Sequence, residues 1–137
     1  MDEVVFVLAR SHPLAARRAL TVDDLAQSTL LSSNVPATEA AWFRAKVLGR
    51  KPRRLRFETF PLTEAVLDCA RAGMGIAVLS EWIASPHLRS GELVAKRLRS
   101  GPLQRPWRLA YRCEVRDAAL RLLPALQATV PRGHPLG

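Results

Sequence analysis

With 137 residues the chain has room for one domain or a pair of small lobes, and 48% hydrophobic against 24% charged residues marks it as globular rather than disordered. Its 21 Lys and Arg outweigh 12 Asp and Glu to give a net charge of +9, which points to an acidic partner or a solvated basic surface. Cys69 and Cys113 are too few and too far apart for a disulfide scaffold, and His12, His87 and His134 lack zinc-site spacing, so reduced thiols and no metal or other cofactor are expected.

The first element is the unbroken apolar run of residues 4–8, which predicts a strand buried on both faces. It stops at Ser11, His12 and Pro13, because proline cannot donate to a ladder and pushes His12 out of helical geometry. Thr21 followed by Val22, Asp23 and Asp24 has the composition of a capped helix start, and residues 29–33 form the next strand. From Thr38 a helix is predicted, with Glu39 near its positive end and Trp42, Phe43, Ala45 and Val47 available to the core. Gly49 caps it and Pro52 prevents its continuation.

Residues 54–59 alternate charge with Leu55 and Phe57, as a strand with one buried face does. Pro61 suits the first turn of a further helix carrying Leu62, Val66, Cys69 and Ala70 at helical spacing and ending at Gly73. Residues 75–79 form another buried strand, and a helical turn through Trp82 and Ile83 precedes Pro86. Residues 92–94 and 107–111 read as strands joined by a Pro- and Arg-rich connection. Residues 115–130 place Val115, Ala119, Leu122, Leu123, Leu126 and Val130 on one helix face, bent at Pro124, before a frayed tail at 131–137. Strands alternating with helices predict an α/β fold with a mainly parallel sheet. The longest apolar runs fall far short of a membrane span, and Asp2 and Glu3 stand where a signal peptide needs positive charge, so a cytoplasmic protein is expected.

No motif supports catalysis. Gly73, Met74 and Gly75 lie after a helix and before a strand, the reverse of a dinucleotide loop, and Ser32, Ser33 and Ser80 lack a nucleophile elbow. Arg50, Lys51, Arg53, Arg54 and Arg56 form the densest basic cluster, which alternation with Leu55 and Phe57 assigns to a solvated strand face rather than to a phosphate grip. Ligands of open α/β sheets lie where strand ends meet helix N-termini. Two such junctions stand out: Ser32 and Ser33 leading to the Thr38 helix, and Thr59, Phe60 and Pro61 leading to the Leu62 helix. Hydroxyls and amides there suit a small anionic or zwitterionic ligand, and they also suit ordinary capping.

Residues 5–15 (VFVLARSHPLA), followed by 20–26 (LTVDDLA), resemble the middle of the effector-binding domain of LysR-type transcriptional regulators. Residues 70–80 (ARAGMGIAVLS) are similar to a second hallmark of that family, and Gly91 to Val94 match the short strand that follows. Residues 74–82 with Gly101, Pro102 and Leu103 are most similar to its methionine-biosynthesis (MetR-like) branch, whose effector is homocysteine. The resemblance implies a type 2 periplasmic-binding-protein-like fold, comprising a second lobe at about 13–103, crossing strands at about 4–9 and 106–113, and a C-terminal helix at about 115–130 that packs on the first lobe. It implies a non-enzymatic sensor that binds a small metabolite, possessing effector contacts at Ser32, Ser33, Thr59, Phe60 and Pro61 and a dimer contact through Leu62, Val66, Ile76 and Val78. The family's helix-turn-helix and most of its first lobe have no counterpart before Met1, so an N-terminally truncated fragment is expected, acting on DNA only through an absent module. The competing readings are a fragment of a solute-binding protein, which an export signal would mark, and a basic nucleic-acid-binding module built on the Arg50 cluster.

Overall fold

The apolar run at the start of the chain becomes the middle of a sheet. The computed structural model describes residues 2–49, 52–106 and 108–129. Strand β1 (Asp2–Ala9) is buried along nearly its whole length, because it carries apolar side chains toward both faces. The remaining elements are α1 (Val22–Gln27), β2 (Thr29–Ser33), α2 (Ala37–Leu48), β3 (Arg56–Phe60), α3 (Thr63–Arg71), β4 (Ile76–Ser80), α4 (Glu81–Leu88), β5 (Leu93–Lys96), β6 (Leu103–Arg105) and α5 (Arg116–Thr129). Single 3-10 turns, Pro13–Ala16 and Cys113–Val115, precede α1 and α5.

The sheet runs β3-β2-β4-β1-β5, with β6 alongside β5 on the same edge of β1. Strands β2, β3 and β4 are parallel, as strand-helix-strand units require, but β1 is antiparallel to β4, β5 and β6. The sheet is therefore mixed rather than mainly parallel. Periodicity gives the face of a residue and carries no information on strand direction, so this difference was not available from pattern.

Alternation along β1 splits the core in two. Val4, Phe6 and Leu8 join Leu30, Ile76, Leu25 of α1 and Phe43 and Val47 of α2 on one face. Val5 and Val7 join Leu31, Ala77 and Leu79 with Val66, Leu67 and Ala70 of α3 and Ala84 of α4 on the other. In α2 only Phe43 and Val47, one turn apart, are buried, while Ala45 points to solvent and not to the core as its apolar character implied. Helix α3 begins two residues after Pro61, and Leu62 is its cap at 61% exposure rather than a core residue.

At the far end of α3, Gly73 adopts φ +76° and the Met74 amide returns to the Cys69 carbonyl at 3.0 Å, closing the helix and aiming the chain into β4. Gly75 then passes close to β2: a Cβ added there would lie 2.4 Å from the Thr29 carbonyl oxygen. Gly75→Ala is expected to cost about 1–3 kcal/mol by forcing two backbones apart. Urea unfolding checks this, and an unchanged midpoint would refute the close approach.

The carboxyl-terminal third departs most from expectation. Helix α4 continues through Pro86 to Leu88. Strand β6 forms where a connection was predicted. Residues 108–112 form no strand, and Leu109 and Tyr111 are exposed, because no strand among the described residues offers them a ladder. Trp107, Val130 and the 131–137 tail lie outside the described residues. Helix α5 runs across Pro124 and buries no residue, leaving Leu122 and Leu126 in solvent. Among the described residues no helix is long and apolar enough to cross a membrane.

Candidate functional site

Because β2, β3 and β4 are parallel, their carboxyl ends lie at one end of the sheet and lead into α2, α3 and α4. The N-cap residues of these helices, Pro36, Leu62 and Ser80, make no side-chain capping bond. Helix α1 is the contrast: Thr21 Oγ1 accepts from the Asp24 amide at 3.1 Å, and Asp24 Oδ2 accepts from the Thr21 amide at 2.9 Å. First-turn amides of α2 and α3 therefore have no side-chain cap and lie beside one cavity. That cavity, about 390 Å³, is lined by residues from all three strand-to-helix junctions, among them Asn34, Val35, Thr63, Ser80 and Ile83. Its size is that of a small-metabolite pocket.

Ser32, Ser33 and Thr59 line the cavity. Ser32 is buried with its hydroxyl donating to the Ser33 carbonyl at 2.9 Å, while Thr59 is exposed toward the opening. Phe60 and Pro61 are not among the lining residues: strand alternation turns Phe60 to the opposite face, against the Val66 cluster, and Pro61 precedes α3. Of the four positions assigned to a dimer contact, Val66 and Ile76 are fully enclosed in the two cores, Val78 is half-buried on the cavity wall and Leu62 stands in solvent.

The cavity also has charged walls that sequence reading did not find. Arg105 donates to Asp2 Oδ2 from Nη2 at 2.5 Å and from Nε at 3.2 Å, and Nη2 also reaches Ser80 Oγ at 2.8 Å. Its Nη1 pairs with Glu39 of α2. Ser80 Oγ donates to the same Asp2 oxygen at 2.7 Å, while Asp2 Oδ1 is buried without a hydrogen-bond partner. Arg44 of α2 stacks over the Phe57 ring, 5.9 Å from its centroid. Arg44, Arg105 and Glu39 all border the cavity, so its walls carry both signs of charge. The partners are distant in sequence, and no local signal could have joined them.

The other candidate features resolve into structural roles. Arg53 pairs with Asp23 at 2.9 Å and Arg56 Nη2 donates to the Gln27 carbonyl at 3.0 Å, tying β3 to α1; Arg50 and Lys51 lie outside the described residues. His12 Nδ1 accepts from the Leu14 amide at 3.1 Å and so caps a 3-10 turn. Both cysteines are free thiols, Cys113 exposed and Cys69 half-buried. Among the described residues no group of three or more potential ligands is placed to hold a metal.

Comparison with known proteins gives the same architecture. The sequence model of the LysR substrate binding domain matches residues 1–130. The chain is 35% identical over 101 residues to the HTH-type transcriptional regulator MetR of Escherichia coli K12, a match covering 72% of this chain and 31% of that regulator. It thus spans about a third of the length of the curated relatives it matches. Among solved structures it is similar to the regulatory domain of MetR, a LysR family regulator from N. meningitidis, at 30% identity and a TM-score of 0.75, covering 88% of this chain and 56% of that one. Holo ArgBP from T. maritima, at 16% identity and a TM-score of 0.64 over 93% of this chain and 52% of that one, shares the fold. The type 2 periplasmic-binding-protein-like α/β expectation therefore holds.

Proposed function

We propose, from the premise that the chain belongs to the LysR substrate-binding-domain family, that it is the effector-sensing part of a cytoplasmic, MetR-like transcription regulator whose ligand is a small amino acid such as homocysteine. The family is regulatory and non-enzymatic. The observation that carries the ligand class is the cavity at the strand ends, where the uncapped N-termini of α2 and α3 meet walls of both charges. A carboxylate fits the amides and the Ser33 and Thr59 hydroxyls, and an ammonium group fits Glu39.

In this reading residues 13–103 are the second lobe, with 4–9 and 106–113 crossing to a first lobe against which 115–130 packs. The regulator acts as a dimer, and ligand binding controls a helix-turn-helix elsewhere in the protein. It does so by favouring one arrangement of lobes, which requires unequal affinity for the two states. Calorimetry of the full-length regulator with homocysteine and other amino acids tests this. Saturable heat is expected with at least one of them, weakened about tenfold or more in Ser33→Ala/Thr59→Val through loss of hydrogen bonds to a charged group. No heat and no thermal shift with any amino acid would exclude an amino-acid sensor.

A further inference from the structure

In the densest basic stretch of the sequence two cations have partners in the fold. Arg53 and Arg56 are held against α1, whereas another set comes together from two segments far apart in the chain. Residues 17–20 and 95–99 lie side by side, with the Leu20 amide donating to the Arg97 carbonyl at 2.9 Å and the Arg99 amide to the Leu20 carbonyl at 2.8 Å. Between them runs a groove of about 740 Å³ bordered by Arg17, Arg18, Lys96, Arg97 and Arg99.

Two of these cations are braced. Arg17 Nη1 meets Asp24 Oδ2 at 3.2 Å, and Arg97 meets both Glu3 oxygens at 2.6 and 3.0 Å. The hydrogen bonds that Arg97 donates to Glu3 raise its pKa against the opposing effect of burial. Arg18, Lys96 and Arg99 have no carboxylate within ion-pair distance among the described residues. Five cations thus border one concave surface, two of them paired with carboxylates, and hydrogen bonds hold the two backbone segments that carry them together. A fixed positive concavity concentrates multivalent anions, and fork-shaped guanidinium donors with an ammonium group match phosphate oxygens.

We propose that this groove is a binding site for consecutive phosphates, those of a small oligophosphate ligand or of a nucleic-acid backbone. It shares no lining residue with the cavity at the strand ends and does not depend on the function assigned to that cavity.

The test is titration of the chain with tripolyphosphate and, in parallel, with a short mixed-sequence DNA duplex at low salt. Saturable binding is expected, weakened about tenfold or more by R18Q/K96Q/R99Q and changed less than about twofold by R53Q/R54Q/R56Q, with both variants melting near the parent temperature. If the duplex binds more tightly and loses its advantage in the groove variant, the phosphates are those of nucleic acid. If tripolyphosphate binds as tightly or better, the ligand is a free oligophosphate. Equal weakening by the two variants, binding untouched by the groove variant, or no saturable binding of either anion would leave only diffuse charge and overturn the site.

Discussion

Phe6→Ala should lower the unfolding free energy by about 3–5 kcal/mol, the largest loss expected from any single truncation in this chain. Phe6 is fully buried at the middle of β1, paired with Val78 of β4 on one side and Lys96 of β5 on the other. Its ring lies 6.2 Å from that of Phe43, which in turn meets Phe57 edge-on at 5.8 Å. Removing it opens a void under α2 that the paired strands cannot close, because β1 is held on both edges. The void also lies under a cavity wall, since Phe43 and Phe57 both border the cavity. Effector affinity should therefore fall together with stability. Urea unfolding followed by circular dichroism measures the first effect. Leu62→Ala, on a residue 61% exposed, should stay within about 0.5 kcal/mol of the parent. A Phe6→Ala loss below about 1 kcal/mol would mean that β1 is not the centre of the core.

That centrality was legible in the sequence, and so were the elements whose cause is local. The run at 4–8 has no polar face to offer solvent, and the Thr21 cap is completed three residues later by Asp24. Gly49 and Gly73 do end α2 and α3, each at positive φ. Non-local features were not legible. Strand direction, and with it the mixed sheet, depends on which neighbours β1 finds. Residues 107–111 alternate like a strand, but Arg108 to Tyr111 pair with no strand among the described residues, whereas Leu103 to Arg105 lie against Asp2 to Val4 and form one. Pro86 marks a helix end by propensity, yet it sits near the end of α4, where the single lost backbone bond is tolerated.

The site divides in the same way. Strand-to-helix junctions can be found by pattern, and three of the five residues placed there line the cavity. Phe60 lies on the face away from that cavity because the exit of β3 fixes which face each residue takes, and one position reverses it. The charged wall and the basic groove were invisible for another reason. Arg105 meets Asp2 and Glu39, and Arg17 and Arg18 meet the 96–99 segment, only after the sheet has closed. The compact Arg50 to Arg56 cluster draws attention in sequence because its members are adjacent, but in the fold Arg53 and Arg56 each have a partner of their own.

Arg105→Ala should cost about 3 kcal/mol, at the lower end of the range for removing one partner of a buried ion pair. Asp2 is the reason for the size of the effect. Its side chain is 3% exposed, and Oδ2 accepts from Arg105 and Ser80 while Oδ1 already lacks a partner. Without the guanidinium the carboxylate keeps only one hydroxyl, and desolvation is no longer offset. Arg105 and Glu39 are about one-third exposed, so water can replace part of what Glu39 loses, which keeps the cost from the upper end. The consequence reaches the cavity, because the same guanidinium ties β6 and β1 to the first turn of α2. Arg105→Lys should recover part of the stability by restoring charge without the fork of donors. Asp2→Asn/Arg105→Met should lose less than the two single changes together, with a coupling of about 1–3 kcal/mol in urea unfolding. Strict additivity would show that Asp2 and Arg105 contribute separately. In calorimetry Arg105→Ala should also weaken an amino-acid effector, whereas Arg53→Ala, on the far side of α1, should leave it unchanged.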